Sequence, residues 1–178
     1  MDTTNLERYL QSFGNYVKKE SRELLNNAKG NTNLENTIRF EVEPDADGFS
    51  VKFYMAPYGT YLDKGVSGTK QKQTYQNYNG STVTTDYKYT TKQPPPDILS
   101  RWIKRKGIKP KGLGRGRDKD TGRYISNLAF LIGRKIKRDG IKSLSFFQIP
   151  LGIGYRNLKK EMLQELKLDI QTYLTDFY

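Results

Sequence analysis

Ile38-Arg39-Phe40-Glu41-Val42-Glu43, followed by Pro44-Asp45-Ala46-Asp47-Gly48 and then by Phe49-Ser50-Val51-Lys52-Phe53-Tyr54-Met55, is the stretch that decides the fold. Ile38, Phe40 and Val42 alternate with charged neighbours, and Phe49, Val51, Phe53 and Met55 alternate with Ser50, Lys52 and Tyr54. Each run therefore presents one apolar face at the two-residue period of a strand. The residues between them are turn formers, with Gly48 free to take positive φ. The reading is an antiparallel hairpin with one face turned to a core.

Upstream, Leu6, Tyr9, Leu10, Phe13, Tyr16, Val17, Leu24 and Leu25 recur near helical spacing. Thr4 and Glu7 have the spacing of a capping box, and Gly30 stands where a left-handed C-terminal cap is expected. Downstream the alternation dissolves from Ala56 to Gly68, and a short helical turn is expected around Tyr58 to Lys64. Residues 69–93 are rich in Tyr, Thr, Gln and Asn and almost free of aliphatic side chains. They bury too little to offset their ordering entropy, so the segment is either a flexible loop or an extended arm that orders against a neighbour.

After Pro94-Pro95-Pro96, Asp97 is placed to cap a helix whose apolar face is Ile98, Leu99, Trp102 and Ile103. Residues 107–123 read as a mobile, basic, Gly-rich loop. A helix then resumes through Tyr124, Ile125, Leu128, Ala129, Ile132 and Ile136, with Arg134, Lys135, Lys137 and Arg138 complementing its C-terminal end. Leu144 to Ile149 is a short apolar run, broken by Pro150 and by Gly152-Ile153-Gly154. A last helix is expected over 156–178, with Leu158, Met162, Leu166, Ile170, Tyr173 and Phe177 on one stripe. The expected architecture is α+β, a single domain over 1–178, with helices packed on a small antiparallel sheet. A projecting polar arm (69–93) and a long C-terminal helix complete it.

The chain has 178 residues, enough to bury a core without staples, and it contains neither cysteine nor histidine. Disulfides and thiolate metal sites are excluded, as are the commonest general base, imidazole ligands and every Ser-His or Cys-His arrangement. The expectation is no enzyme, no cofactor and no metal. No run approaches the roughly 18 apolar residues of a membrane span. Met1-Asp2-Thr3-Thr4-Asn5 lacks a signal-peptide pattern, so the expected start is the cytoplasm of the cell that makes it, with no membrane partner.

Net charge is +12, from 31 Lys+Arg against 19 Asp+Glu. Residues 101–123 hold ten basic residues and two acidic ones, and residues 134–142 hold five and one. Such clustering favours anionic partners: nucleic acid, contacted without sequence reading through its phosphates, or an acidic neighbouring protein. The candidate basic residues are Arg101, Lys104, Arg105, Lys109, Lys111, Arg115 and Arg117. Gly112-Leu113-Gly114-Arg115-Gly116 lacks the register and the Gly-Lys-Ser/Thr ending of a phosphate-cradling loop. Asp45 and Asp47 lack the later glutamate of a calcium loop and are explained by the turn. Tyr75, Tyr78, Tyr87 and Tyr89 can stack bases, but aromatics of this kind also anchor protein interfaces, and subunit contact is the favoured reading.

Ala56-Pro57-Tyr58-Gly59-Thr60-Tyr61-Leu62-Asp63-Lys64-Gly65, following a helix and a hairpin, resembles a segment of the tailed-bacteriophage head–tail joining and tail-completion proteins. Tyr58, Tyr61, Leu62, Asp63 and Gly65 match that segment. Leu128-Ala129-Phe130, Ile136-Lys137-Arg138-Asp139-Gly140-Ile141 and Phe146-Phe147 look like the family's closing helix and the apolar stop after it. The resemblance covers most of 5–150. The 69–93 segment and the C-terminal helix go beyond the compact family core, which suggests extra contacts with neighbouring proteins. It implies a structural virion protein of the neck, or head–tail connector, assembled as a homo-oligomeric ring around the DNA channel. Portal, adaptor or tail proteins would be its neighbours. Leu62 and Gly65 are expected to shape the core and its turn.

Overall fold

The chain is an α+β protein, seen in a computed structural model that describes residues 4–29, 33–45, 48–108, 115–117 and 124–175. In order along the chain come α1 (Thr4–Lys29), α2 (Asn33–Thr37), β1 (Arg39–Asp45), β2 (Gly48–Tyr54), α3 (Gly59–Lys64), β3 (Val66–Ser67), β4 (Thr74–Gln76) and β5 (Thr82–Thr84). Then follow α4 (Pro96–Arg105), β6 (Arg115–Arg117), β7 (Tyr124–Ser126), α5 (Asn127–Asp139), β8 (Gly140–Ile141) and α6 (Gln148–Thr175). The sheets are two-stranded: β1 with β2, β3 with β8, β4 with β5, and β6 with β7.

By its internal packing the chain divides into two compact units. The first comprises Met1–Asp63, Tyr75–Val83 and Leu144–Tyr178, the second Lys64–Thr74 and Thr84–Ser143. No Pro- or Gly-rich linker marks the division, because the chain crosses between the units four times: at the end of α3, within β4, within β5 and just before Leu144.

The first unit is built on the hairpin. Phe40 pairs with Phe53 and Val42 with Val51 in antiparallel register, closing at Asp45 and Gly48, whose φ of 138° is open to glycine. Phe53 is the hub of its aromatic face, with ring centroids 6.1 Å from Phe13, 6.0 Å from Phe40 and 5.4 Å from Phe147. Helix α1 covers this face and buries Leu10, Phe13, Val17, Ser21 and Leu25 at helical spacing, whereas Tyr16 and Leu24 face outward. Leu25, Leu34, Ile38 and Phe146 close the core, with Met55, Leu62 and Leu144 packed against them.

Helix α6 corrects the expected break and the expected start at 156. It begins at Gln148 and runs through Pro150, Gly152 and Gly154. Pro150 sits in the first turn, where an amide N–H has no helical partner to lose. The glycines are there for proximity. A Cβ on Gly152 would lie 2.2 Å from the Tyr78 carbonyl oxygen, and one on Gly154 would lie 2.6 Å from the Phe13 ring.

In the second unit α4 packs on α5, where the small Gly133 admits Leu99 and the Pro94 carbonyl. Asp97 is not the expected cap: Pro95 occupies that position, and Asp97 lies in the first turn, paired with Arg101 at 3.2 Å. The expected mobile loop over 107–123 contains strand β6, and Tyr124 and Ile125 belong to its partner β7 rather than to a helix. An aromatic and a β-branched residue side by side suit a strand, and a short apolar run gives no periodicity to separate the two states.

The 69–93 segment is tied to its own chain. Within the second unit Thr69 and Lys70 donate their amides to the carbonyls of Lys137 and Arg138 at 2.8 and 2.9 Å. Ser67 donates to Tyr87 and accepts from Tyr89 at 2.8 and 2.9 Å. Gly65, at φ 73°, lies where a Cβ would meet Ile141 and Ser143 backbone, so the glycine of the family-like segment shapes this turn as expected. Leu62 packs in the core, also as expected.

Candidate assembly and polyanion surfaces

In the first unit α1, β2 and α6 leave an apolar groove of about 810 Å³. Leu10, Phe49, Val51, Leu151, Met162 and Leu166 are among the residues that line it. Beyond it, α6 carries apolar side chains to the outside: Leu163 and Leu174 are each 53% exposed, and Leu168, Ile170 and Tyr173 are exposed as well. A helix that is apolar on more than one face is one that expects cover on more than one side.

The two ends of this scaffold are fixed by buried carboxylates. Asp169 accepts hydrogen bonds from the backbone N–H of Asn5 (3.2 Å) and of Leu6 (3.0 Å), and from the Asn5 side-chain amide (2.8 Å). It thus serves the first turn of α1. Asp63 serves the start of α6, accepting from Phe147 N–H at 2.8 Å. Beside these, Tyr9 is half-buried against α6; burial, with Glu161 as hydrogen-bond partner, pushes its phenol up to about 12.

The four candidate tyrosines are divided between the two units. Tyr75 and Tyr78 belong to the first unit, and Tyr87 and Tyr89 to the second. Tyr78 packs edge-on against Tyr155 with centroids 5.8 Å apart, and its amide donates to the Gln148 side chain at 3.1 Å. Tyr89 is half-buried, and that burial raises its phenol.

Among the basic candidates, Arg101, Lys104 and Arg105 stand exposed on α4. Arg115 and Arg117 have their backbone in β6, opposite Ser126 and Tyr124. Lys109 and Lys111 lie outside the described residues. On α5 the basic end is engaged locally. Arg138 and Lys135 hold Asp139 at 2.6 and 3.1 Å, which keeps that carboxyl well below the usual range, and Lys137 donates to the Thr91 carbonyl at 2.6 Å.

The charge is partitioned between the units. The first contains 11 Lys/Arg and 14 Asp/Glu, the second 20 Lys/Arg and 5 Asp/Glu. Sequence reasoning missed part of this second set. Lys70, Lys72 and Lys88 border a polar groove of about 660 Å³ within the second unit. The available signal was four lysines against a single aspartate in 69–93, spread singly among polar residues so that no basic run stands out.

Among the described residues no group of three or more carboxylates, His or Cys is arranged to hold a metal ion, and no helix is long and apolar enough to cross a membrane. No protein-family model matches the chain, and neither a curated protein nor a solved structure does.

Proposed function

We propose that this chain is a non-enzymatic structural protein of a tailed-phage virion, a subunit of a neck or tail-completion ring around the DNA channel. The observation that carries this reading is the apolar groove of the first unit together with the outward apolar side chains of α6. An apolar groove with exposed apolar side chains on the helix beside it is the kind of surface that binds another protein. A subunit with both a groove and a separate apolar helix face suits a heterologous contact, which makes a ring when its rotation closes. The family-like segment from Tyr58 to Gly65 adds to it, because Leu62, Asp63 and Gly65 each have a structural task here.

The test is sedimentation velocity of the purified chain, alone and with the portal of the particle that carries it. A closed oligomer of one size is expected, and Leu163→Glu combined with Leu174→Glu abolishes it while leaving the helical circular dichroism unchanged. Monomers for both chains under both conditions overturn the reading.

A second reading, a non-specific nucleic-acid-binding phage protein, is favoured by one observation: the excess of basic over acidic residues in the second unit.

A further inference from the structure

We infer that the groove bordered by Lys70, Lys72 and Lys88 binds the phosphate backbone of duplex DNA without reading its sequence. This rests on the second unit meeting nucleic acid, and it places the contact on residues other than Arg101, Lys104 and Arg105.

The three lysines are exposed, and none forms an ion pair among the described residues. Asp86 is the single acid among the described residues of the groove lining. Thr69 and Thr84 add hydroxyl donors beside the lysines, a set typical of phosphate contacts. Among the described residues of this lining, large apolar or aromatic anchors of the kind that centre a protein interface are missing apart from the half-buried Tyr89. A repeated phosphate therefore fits better than an acidic protein.

The walls are fixed in advance. Gln73 donates its amide to Ser67 Oγ at 3.0 Å and its side chain to the Asp139 carbonyl at 2.7 Å. Thr85 Oγ1 donates to the Gly65 carbonyl at 3.0 Å, and the Gly68 amide bonds to Gln71 at 2.8 Å. A pre-ordered groove loses little conformational freedom on binding. Charge arithmetic argues against a second copy as the occupant. The first unit offers an excess of only three acidic residues, whereas the second carries an excess of fifteen basic ones. A polyanion supplies the remainder and releases its condensed counterions on contact.

The experiment is fluorescence anisotropy of the full chain with a labelled random-sequence duplex over a KCl series. The wild type is compared with Lys70→Gln/Lys72→Gln/Lys88→Gln and with Arg101→Gln/Lys104→Gln/Arg105→Gln. The lysine variant should bind at least about tenfold more weakly, with a log–log salt slope shallower by about 2 to 3, near 0.9 per lost phosphate contact. Acetylation footprinting of the unaltered chain guards against a folding artefact, and duplex should slow modification of Lys70, Lys72 and Lys88 but not of Lys18 and Lys19. Intact binding by the lysine variant, with no protection at these lysines and loss only in the α4 variant, overturns the groove and leaves the basic unit as a nucleic-acid surface. No binding by the wild type at low salt overturns both.

Discussion

The Asp63 carboxylate accepts the backbone N–H of Phe147 at 2.8 Å, joining the end of α3 to the start of α6 across 84 residues of sequence. Its Oδ1 also lies 3.4 Å from the Gln148 amide, and the side chain is only 2% exposed. A carboxylate at a helix N-terminus satisfies free amides and complements the positive end of the helix dipole. Asp63→Ala should therefore cost about 1.5–3 kcal/mol in a urea titration, and Asp63→Asn, which keeps an acceptor, distinctly less. Equal losses in the two variants would mean that the capping bond is not what Asp63 contributes.

Ser21 points the other way. It is fully buried on α1, and its Oγ has no hydrogen-bond partner among the described residues. An unsatisfied buried hydroxyl costs stability, so Ser21→Ala should leave the denaturation midpoint unchanged or raise it. A fall of more than about 1 kcal/mol would reveal a bond that the geometry lacks.

Gly154 sets helix propensity against packing. Alanine is favoured over glycine inside a helix by about 1 kcal/mol, so propensity alone says that Gly154→Ala stabilises. The added Cβ would lie 2.6 Å from Cε2 of Phe13, a buried ring with little room to move. Overpacking of this kind costs about 1–3 kcal/mol, so a net loss is expected, and Phe13→Leu in the same chain should recover part of it. A higher melting temperature for Gly154→Ala would show that α1 and α6 can part at this point without loss.

Tyr9 makes stability depend on pH at the alkaline end. Its phenol is raised from 10.0 to about 12, so the folded state favours the protonated form. The contribution is complete below about pH 10 and is lost as pH rises towards 12. Denaturant midpoints measured from pH 9 upward should fall less steeply in Tyr9→Phe than in the wild type. Parallel slopes would contradict the burial of this phenol against Glu161.

The hairpin was legible because alternation over Ile38 to Met55 has one physical reading, a strand pair with one wet face. Helix α1 was legible from the spacing of Leu10, Phe13, Val17 and Leu25, although the part Asp169 plays in its first turn was not, since that residue comes from the far end of the chain. The start of α6 was hidden because Pro150, Gly152 and Gly154 together look like a break; Pro150 is tolerated in the first turn, and only tertiary contacts with Tyr78 and Phe13 explain the two glycines. The same holds for the candidate surfaces. The basic run over 101–123 could be read in one pass, whereas Lys70, Lys72 and Lys88 come together only because Ser67 pairs with the chain around Lys88.

Whether this chain is the proposed ring-forming part of a virion is decided by quantitative mass spectrometry of purified, nuclease-treated particles. With copy number scaled to the portal protein, a fixed stoichiometry close to that of the portal is expected. Absence of the chain from those particles would contradict it and leave the nucleic-acid-binding reading in its place.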